Sequence, residues 1–239
     1  LMPGEIYNGD FQSTRAIRHL NVLEDPYAWT KNARQNTIDK KDFGHLEQFL
    51  GALNGGGVTR HLDFRSMLDW DATVAHIGYS MLLNTHHQDN VHNQKWYLDP
   101  LTGRFVPIAW DAFVGRYYGP GIDFAGEFPK TSLVVKALML DPVFLHDVYE
   151  WLYSVTEPER LHHMYEASEE AARSNEAYFA GHVSDLHFRM GTEHLTESAN
   201  RKWLQENVAA IRQVLTDSSS VRYHLDTAAG EQGSRLYLV

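Results

Sequence analysis

Residues 89–111 read Asp89-Asn90-Val91-His92-Asn93-Gln94-Lys95-Trp96-Tyr97-Leu98-Asp99-Pro100-Leu101-Thr102-Gly103-Arg104-Phe105-Val106-Pro107-Ile108-Ala109-Trp110-Asp111. Two short runs, Trp96 to Leu98 and Arg104 to Trp110, flank the connector Asp99-Pro100-Leu101-Thr102-Gly103. Pro and Gly in that connector predict a hairpin turn, and Phe105, Val106 and Ile108 suit a strand. Ahead of the hairpin, Asn84 to Asn93 is a polar loop rich in His, Asp and Asn. A loop bearing Asp89 and Asn93 therefore precedes a hairpin that ends on Asp111.

Outward from this stretch the chain reads as mostly helical. Phe43, Leu46, Phe49, Leu50 and Leu53 recur at helical spacing until Asn54-Gly55-Gly56-Gly57 stops them. Asp63 is placed to cap a second helix that carries Phe64, Met67, Leu68, Val74, Ile77, Met81 and Leu82. Beyond a Gly- and Tyr-rich loop reaching about Pro129, helices are predicted near 131–140, 142–155, 157–182 and 196–216, with starts at Asp141 or Pro142, Glu157-Pro158 and Thr196. Val221 to Leu225 and Leu236 to Val239 read as a final pair of short strands. Residues 1–40 are polar and irregular, without strong periodicity. The expectation is an α+β chain, mostly helical, with 1–40 set apart from one domain over 41–239.

Composition narrows the chemistry. Thirty-one acids against 21 Lys plus Arg leave a formal charge of −10, which argues against a reader of nucleic-acid backbone. The absence of cysteine removes disulfides, thiolate zinc sites, iron–sulfur clusters and cysteine nucleophiles together. The longest nearly apolar run, Leu133 to Leu140, is interrupted by Lys136 and falls far short of the roughly 20 residues that span a bilayer. The chain opens on Leu1 rather than Met, so its sequence neither displays nor excludes a signal peptide.

A helix, a loop with Asp and Asn, and a hairpin ending in Asp can converge three oxygen-bearing side chains. Phosphoryl transfer uses such a set: one carboxylate orients the nucleophile, while an amide and a second carboxylate hold Mg²⁺. Two carboxylates about 4 Å apart repel by roughly 4 kcal/mol at an effective dielectric near 20, so a cation or proton normally accompanies them.

The same residues carry a resemblance. Asp89 to Asn93, then Trp96 to Asp111, resemble the core of the spore-coat protein H (CotH) kinase family: an Asp, an Asn opening an aromatic strand, a turn with Gly, and a strand ending in Trp-Asp. Asp42 to Leu53 and Asp63 to Leu83 resemble the family's two preceding helices. Pro142 to Leu215, with Trp203 and Arg212, resembles its C-terminal helices more loosely. The resemblance implies the C-terminal lobe of an atypical protein kinase that uses ATP and Mg²⁺ to phosphorylate Ser-rich protein substrates. It implies Asp89 as catalytic-loop base, Asn93 and Asp111 as Mg²⁺ ligands, and Tyr97 and Trp110 as supports of the hairpin. It also implies a partner in the form of an N-terminal lobe upstream, with 1–40 a remnant of the segment between lobes, and an exported, cell-surface or spore-associated setting. Gly4-Glu5-Ile6-Tyr7-Asn8 resembles the last strand of that N-terminal lobe, with Asn8 where Lys is common; the chain also departs from the family at Phe113, where a second acid is frequent, and at Ala109, where Pro is common.

Other readings of these residues compete. Asp89 and Asn93 suit the capping of a turn, and a non-catalytic binding or adhesion module is the alternative to a kinase. His86, His87 and His92 raise a zinc-dependent hydrolase, although no His-Glu-x-x-His run supports it. Asn54-Gly55-Gly56-Gly57 lacks the Lys-Ser/Thr ending of a phosphate loop and reads as a helix C-cap. Asp69 and Asp71 diverge on a helix and read as a solvated face. Glu157 to Arg160 and Glu166 to Glu170 read as exposed helix surface. Tyr117, Tyr118 and Gly119 read as a loop beside the site.

Overall fold

The computed structural model describes residues 4–10, 21–33, 41–85, 88–110, 132–167, 170, 197–217, 223–226 and 235–238. In chain order they form β1 (Glu5–Gly9), β2 (Trp29–Ala33), α1 (Gly44–Asn54), α2 (Val58–Ser66), α3 (Trp70–Leu82), β3 (Gln94–Leu98), β4 (Phe105–Pro107), α4 (Leu133–Met139), α5 (Pro142–Val155), α6 (158–167), α7 (Glu197–Thr216), β5 (Tyr223–Asp226) and β6 (Arg235–Leu238). The fold is α+β and mostly helical, with one antiparallel sheet ordered β2-β1-β3-β4 and a separate β5-β6 pair. No helix among the described residues is long and apolar enough to cross a membrane.

The segment 4–8, which resembles a strand, is one, and Trp29–Ala33, read as irregular, is another. β1 is an inner strand, pairing Tyr7 with Lys31 of β2 on one side and with Trp96 of β3 on the other. An ion-pair network fastens this corner. Lys31 Nζ lies 2.8 Å from Glu5 Oε1 and donates to the Asp42 carbonyl at 2.6 Å, just ahead of α1. Tyr7 donates its hydroxyl to Glu5, and burial, reinforced by that carboxylate, pushes the phenol far above its ordinary pKa. These contacts tie Glu5 to Lys31 across the two strands and Lys31 to the residue just ahead of α1, pairings that local patterning does not show.

Aromatic rings fill the layer between sheet and helices. Phe49 of α1 stands 4.6 Å from Phe105 of β4, 5.2 Å from Trp96 and 5.4 Å from Phe64 of α2, centroid to centroid. Phe49, Phe64 and Phe105 are fully buried, and burying each such side chain contributes about 1.5–3 kcal/mol before entropy is counted.

The long second helix expected from Asp63 is two helices. Asp63 lies inside α2, whereas Asp69 is the N-cap of α3 and accepts from the Ala72 N–H at 3.0 Å. The break at 67–69 is a tertiary effect. Phe105 N donates to the Met67 carbonyl at 2.7 Å, and Asp69 N donates to the Phe105 carbonyl at 2.9 Å, so the linker pairs with β4 instead of coiling. Asp69, read from sequence as a solvated acid, is thereby a cap.

Around this centre α3 packs on α5 and α7 on both. Gly78 permits the α3–α5 approach, because a Cβ there would sit 2.4 Å from the Trp151 ring. Asn207 of α7, wholly buried, donates to the Leu82 carbonyl at 2.6 Å and seals the end of α3. α5 runs from Pro142 to Val155, as its Asp-Pro start predicts, and buries Phe144, Val148 and Leu152 at four-residue spacing.

Candidate functional site

The hairpin forms at its predicted turn. Asp99 accepts from Leu101 N and from the Thr102 hydroxyl, Gly103 N donates to the Asp99 carbonyl at 2.8 Å, and Gly103 adopts φ +66°. That left-handed residue is the bulge glycine of a short hairpin loop. The register pairs Trp96 with Pro107, and Ile108 N donates to the Lys95 carbonyl at 2.9 Å. Ile108 thus runs back beside Lys95 near the start of β3.

The loop before β3 is tied down from several sides. Gln88 Nε2 donates to the carbonyls of Asn93 at 3.2 Å and Ile108 at 3.0 Å, bridging the loop to the far end of the hairpin. Gln94 Nε2 returns to the Gln88 and Asp89 carbonyls. Asn90 accepts from Val22 N through its carbonyl and from Leu133 N through its side chain, each at 2.8 Å. The loop therefore touches β3, the hairpin end, the segment before β2 and the start of α4.

Within this frame Asp89 is half-buried, and its Oδ1 accepts from Val91 N and His92 N, both at 2.7 Å. His92 Nδ1 lies 3.5 Å from the same oxygen. Asn93 is buried and sits at φ +62°, a conformation Asn tolerates better than most residues. Tyr97 is buried within β3. Trp110 is half-exposed, and its packing partner is Lys95, whose ammonium lies 3.2 Å above the ring centroid. Partial burial lowers the Lys95 pKa from its ordinary value. Asp111, Phe113, Tyr117, Tyr118, Gly119, His86 and His87 lie outside the described residues. Carboxylate and amide oxygens, the donors that Asp89 and Asn93 offer, are hard ligands of the kind Mg²⁺ takes.

Beneath the loop lies a cavity of about 30 Å³, lined among others by His76, Ser80, Thr85, Gln88, Trp96 and Ser132. Burial depresses the His76 imidazole to about 4, against a smaller opposing effect of its hydrogen bond to Gln88. This pocket was not legible as a site. Its only sequence mark is His76 and Ser80, polar residues four apart on a helix that also buries Val74, Ile77 and Met81.

Two further clusters lie elsewhere. Asp141 is buried at the head of α5, with Oδ2 2.9 Å from His61 Nε2 and 3.1 Å from Arg65 Nη1. Among the described residues, one set of three metal-capable side chains falls within 4.8 Å: His146, Asp147 and Glu150 on α5. Asp147 already accepts from Trp70 Nε1 at 2.7 Å. The Gly-rich run is a helix junction, as its missing Lys-Ser/Thr ending predicts: Gly55 closes α1 and Gly57 opens α2.

No protein-family model matches this chain, and neither a curated protein nor a solved structure does.

Proposed function

We propose that the chain is the C-terminal lobe of a CotH-like atypical protein kinase, transferring the γ-phosphoryl group of ATP to protein Ser or Thr with Mg²⁺. The observation that supports this reading is the hairpin register. It returns Ile108 alongside Lys95, and Gln88 bridges the Ile108 and Asn93 carbonyls, so the chain that leads toward Asp111 sets out next to the loop that bears Asp89 and Asn93.

In this reading Asp89 orients the acceptor hydroxyl and takes its proton as the hydroxyl oxygen bonds to the γ-phosphorus and ADP leaves, while the carbonyl oxygen of the Asn93 amide and the Asp111 carboxylate would hold the metal. Bound Mg²⁺ would offset the charge of the ATP phosphates during transfer. Asp89 is suited to its task because the Val91 and His92 amides fix the carboxylate before any substrate arrives.

One observation favours the competing reading of a non-catalytic binding module: Asp89 Oδ1 is already engaged as a loop cap. Asp89→Asn separates the two, because an Asn oxygen still accepts both amides but cannot take a proton. With labelled Mg-ATP and Ser-rich protein substrates, the full-length protein is expected to transfer phosphate and the D89N form to lose it by orders of magnitude at unchanged stability. Equal labelling by both forms, or none from a well-folded full-length protein, overturns the kinase reading.

A further inference from the structure

We propose that His146, Asp147 and Glu150 on α5 form a binding site for a divalent transition metal of the zinc class. One imidazole nitrogen and two carboxylate oxygens from these residues all lie within 4.8 Å of one another. Helix residues three and four apart share a face, so Glu150 meets both Asp147 and His146 on one side of α5. His146 Nε2 lies 3.9 Å from Glu150 Oε2.

Two carboxylates this close repel each other. Among the described residues, neither Asp147 nor Glu150 forms an ion pair with a lysine or arginine. The donor set then selects the cation: an imidazole beside carboxylates suits zinc, nickel or copper, whereas Mg²⁺ prefers oxygen alone. Zinc bonds of about 2.0–2.2 Å place tetrahedral donors roughly 3.3 Å apart. The side chains of His146 and Glu150 are 42% and 74% exposed, so rotation about their own bonds closes the remaining gap without moving the helix.

Asp147 is the fixed member of the set. Its Oδ2 accepts from Trp70 Nε1 at 2.7 Å. Trp70 is itself held by the Arg65 guanidinium, 4.3 Å from its ring, and by Phe144, edge-on at 5.4 Å. Metal-bound carboxylates are commonly oriented by such a hydrogen bond from outside the ligand set. Trp70 aims Asp147 from α3 and leaves its other oxygen for the ion. A metal here would tie α5 to α3 through that indole. The inference uses no property of Asp89, Asn93 or Asp111, so it stands apart from the kinase reading.

The test is calorimetric titration of the full-length protein with Zn²⁺ in excess Mg²⁺, which keeps the oxygen ligands of the kinase reading out of the count. NMR follows the Trp70 indole N–H in parallel. Zn²⁺ is expected to bind saturably and to shift the Trp70 resonance in step with the heat. His146→Ala and Glu150→Gln, at exposed positions, should keep the fold and each weaken this binding roughly tenfold or more, and Trp70→Phe roughly 10–100-fold. Replacing His162 and His163 by Ala, an exposed imidazole pair on α6, should leave the Trp70 shift unchanged. A Trp70 resonance that ignores Zn²⁺, equal binding by H146A, or loss of the Trp70 shift in the His162 and His163 double variant would each overturn the proposal.

Discussion

Asp141 and Asp89 each cap a turn of backbone, in surroundings of opposite kind. Asp141 is 4% exposed, and both its oxygens are engaged: Oδ1 by the Val143 and Phe144 amides, Oδ2 by His61 and Arg65. The Asp89 side chain is 38% exposed, and its contacts gather on Oδ1. The first carboxylate joins α2 to α5 and has nothing left to offer a ligand. The second is held in place while staying within reach of solvent, which is the condition for chemistry. An acidic residue in a cap position is therefore structural or available according to how completely its neighbours surround it.

The largest effect should come from Asp141. Replacing it with Ala strips the Arg65 guanidinium of its carboxylate and His61 of its hydrogen-bond partner, and removes a helix cap, so urea denaturation should show a loss of about 3–5 kcal/mol. A loss under about 1 kcal/mol would erase the contrast with Asp89.

His76 sharpens the comparison from the opposite side, as a buried group that stays uncharged. Its pKa falls from 6.5 to about 4 in the fold because burial disfavours the imidazolium. The unfolded chain therefore takes up the proton first, and stability drops as pH falls from 6.5 toward 4. The loss should reach at most about 3 kcal/mol and level off below that window. Melting curves of His76→Gln should lack this component while keeping the carboxylate-driven part.

Asp89→Ala should remove only a half-buried loop cap, about 1 kcal/mol by the same denaturation assay. A cost equal to that of Asp141→Ala would make Asp89 a structural joint as well. Smallest of all, Trp110→Ala should cost under about 1 kcal/mol, because its described partner is one lysine over a half-exposed ring. The Lys95 pKa should respond to that change, which NMR titration of its side chain would read.

What the sequence made legible was local. The start of α5 followed from Asp141 and Pro142, the end of α1 from Asn54 and Gly55, and the hairpin turn from Pro100 and Gly103, because each signal acts within a few residues. What stayed hidden was decided at a distance. Asp69 outranks Asp63 as a cap because β4 pairs with residues 67–69, and the inner place of β1 is set by β2 and β3, which flank it. At the candidate site, Asp89, Asn93 and the hairpin were readable as a motif. The Gln88 bridge and the cavity under it depend on tertiary placement of neutral polar residues, which carry no pattern of their own.

The inner position of β1 also bears on how the chain assembles. Its partner Trp96 lies about ninety residues after Tyr7, so the sheet closes only once most of the first half of the chain has been made and gathered. Such long-range pairing slows folding, because the entropy of a large loop is lost before contacts compensate for it. The β1–β2 hairpin-like pair must wait with one side unpaired through that interval. A ribosome-bound chain arrested before residue 94 should therefore be the form most prone to stick to its neighbours.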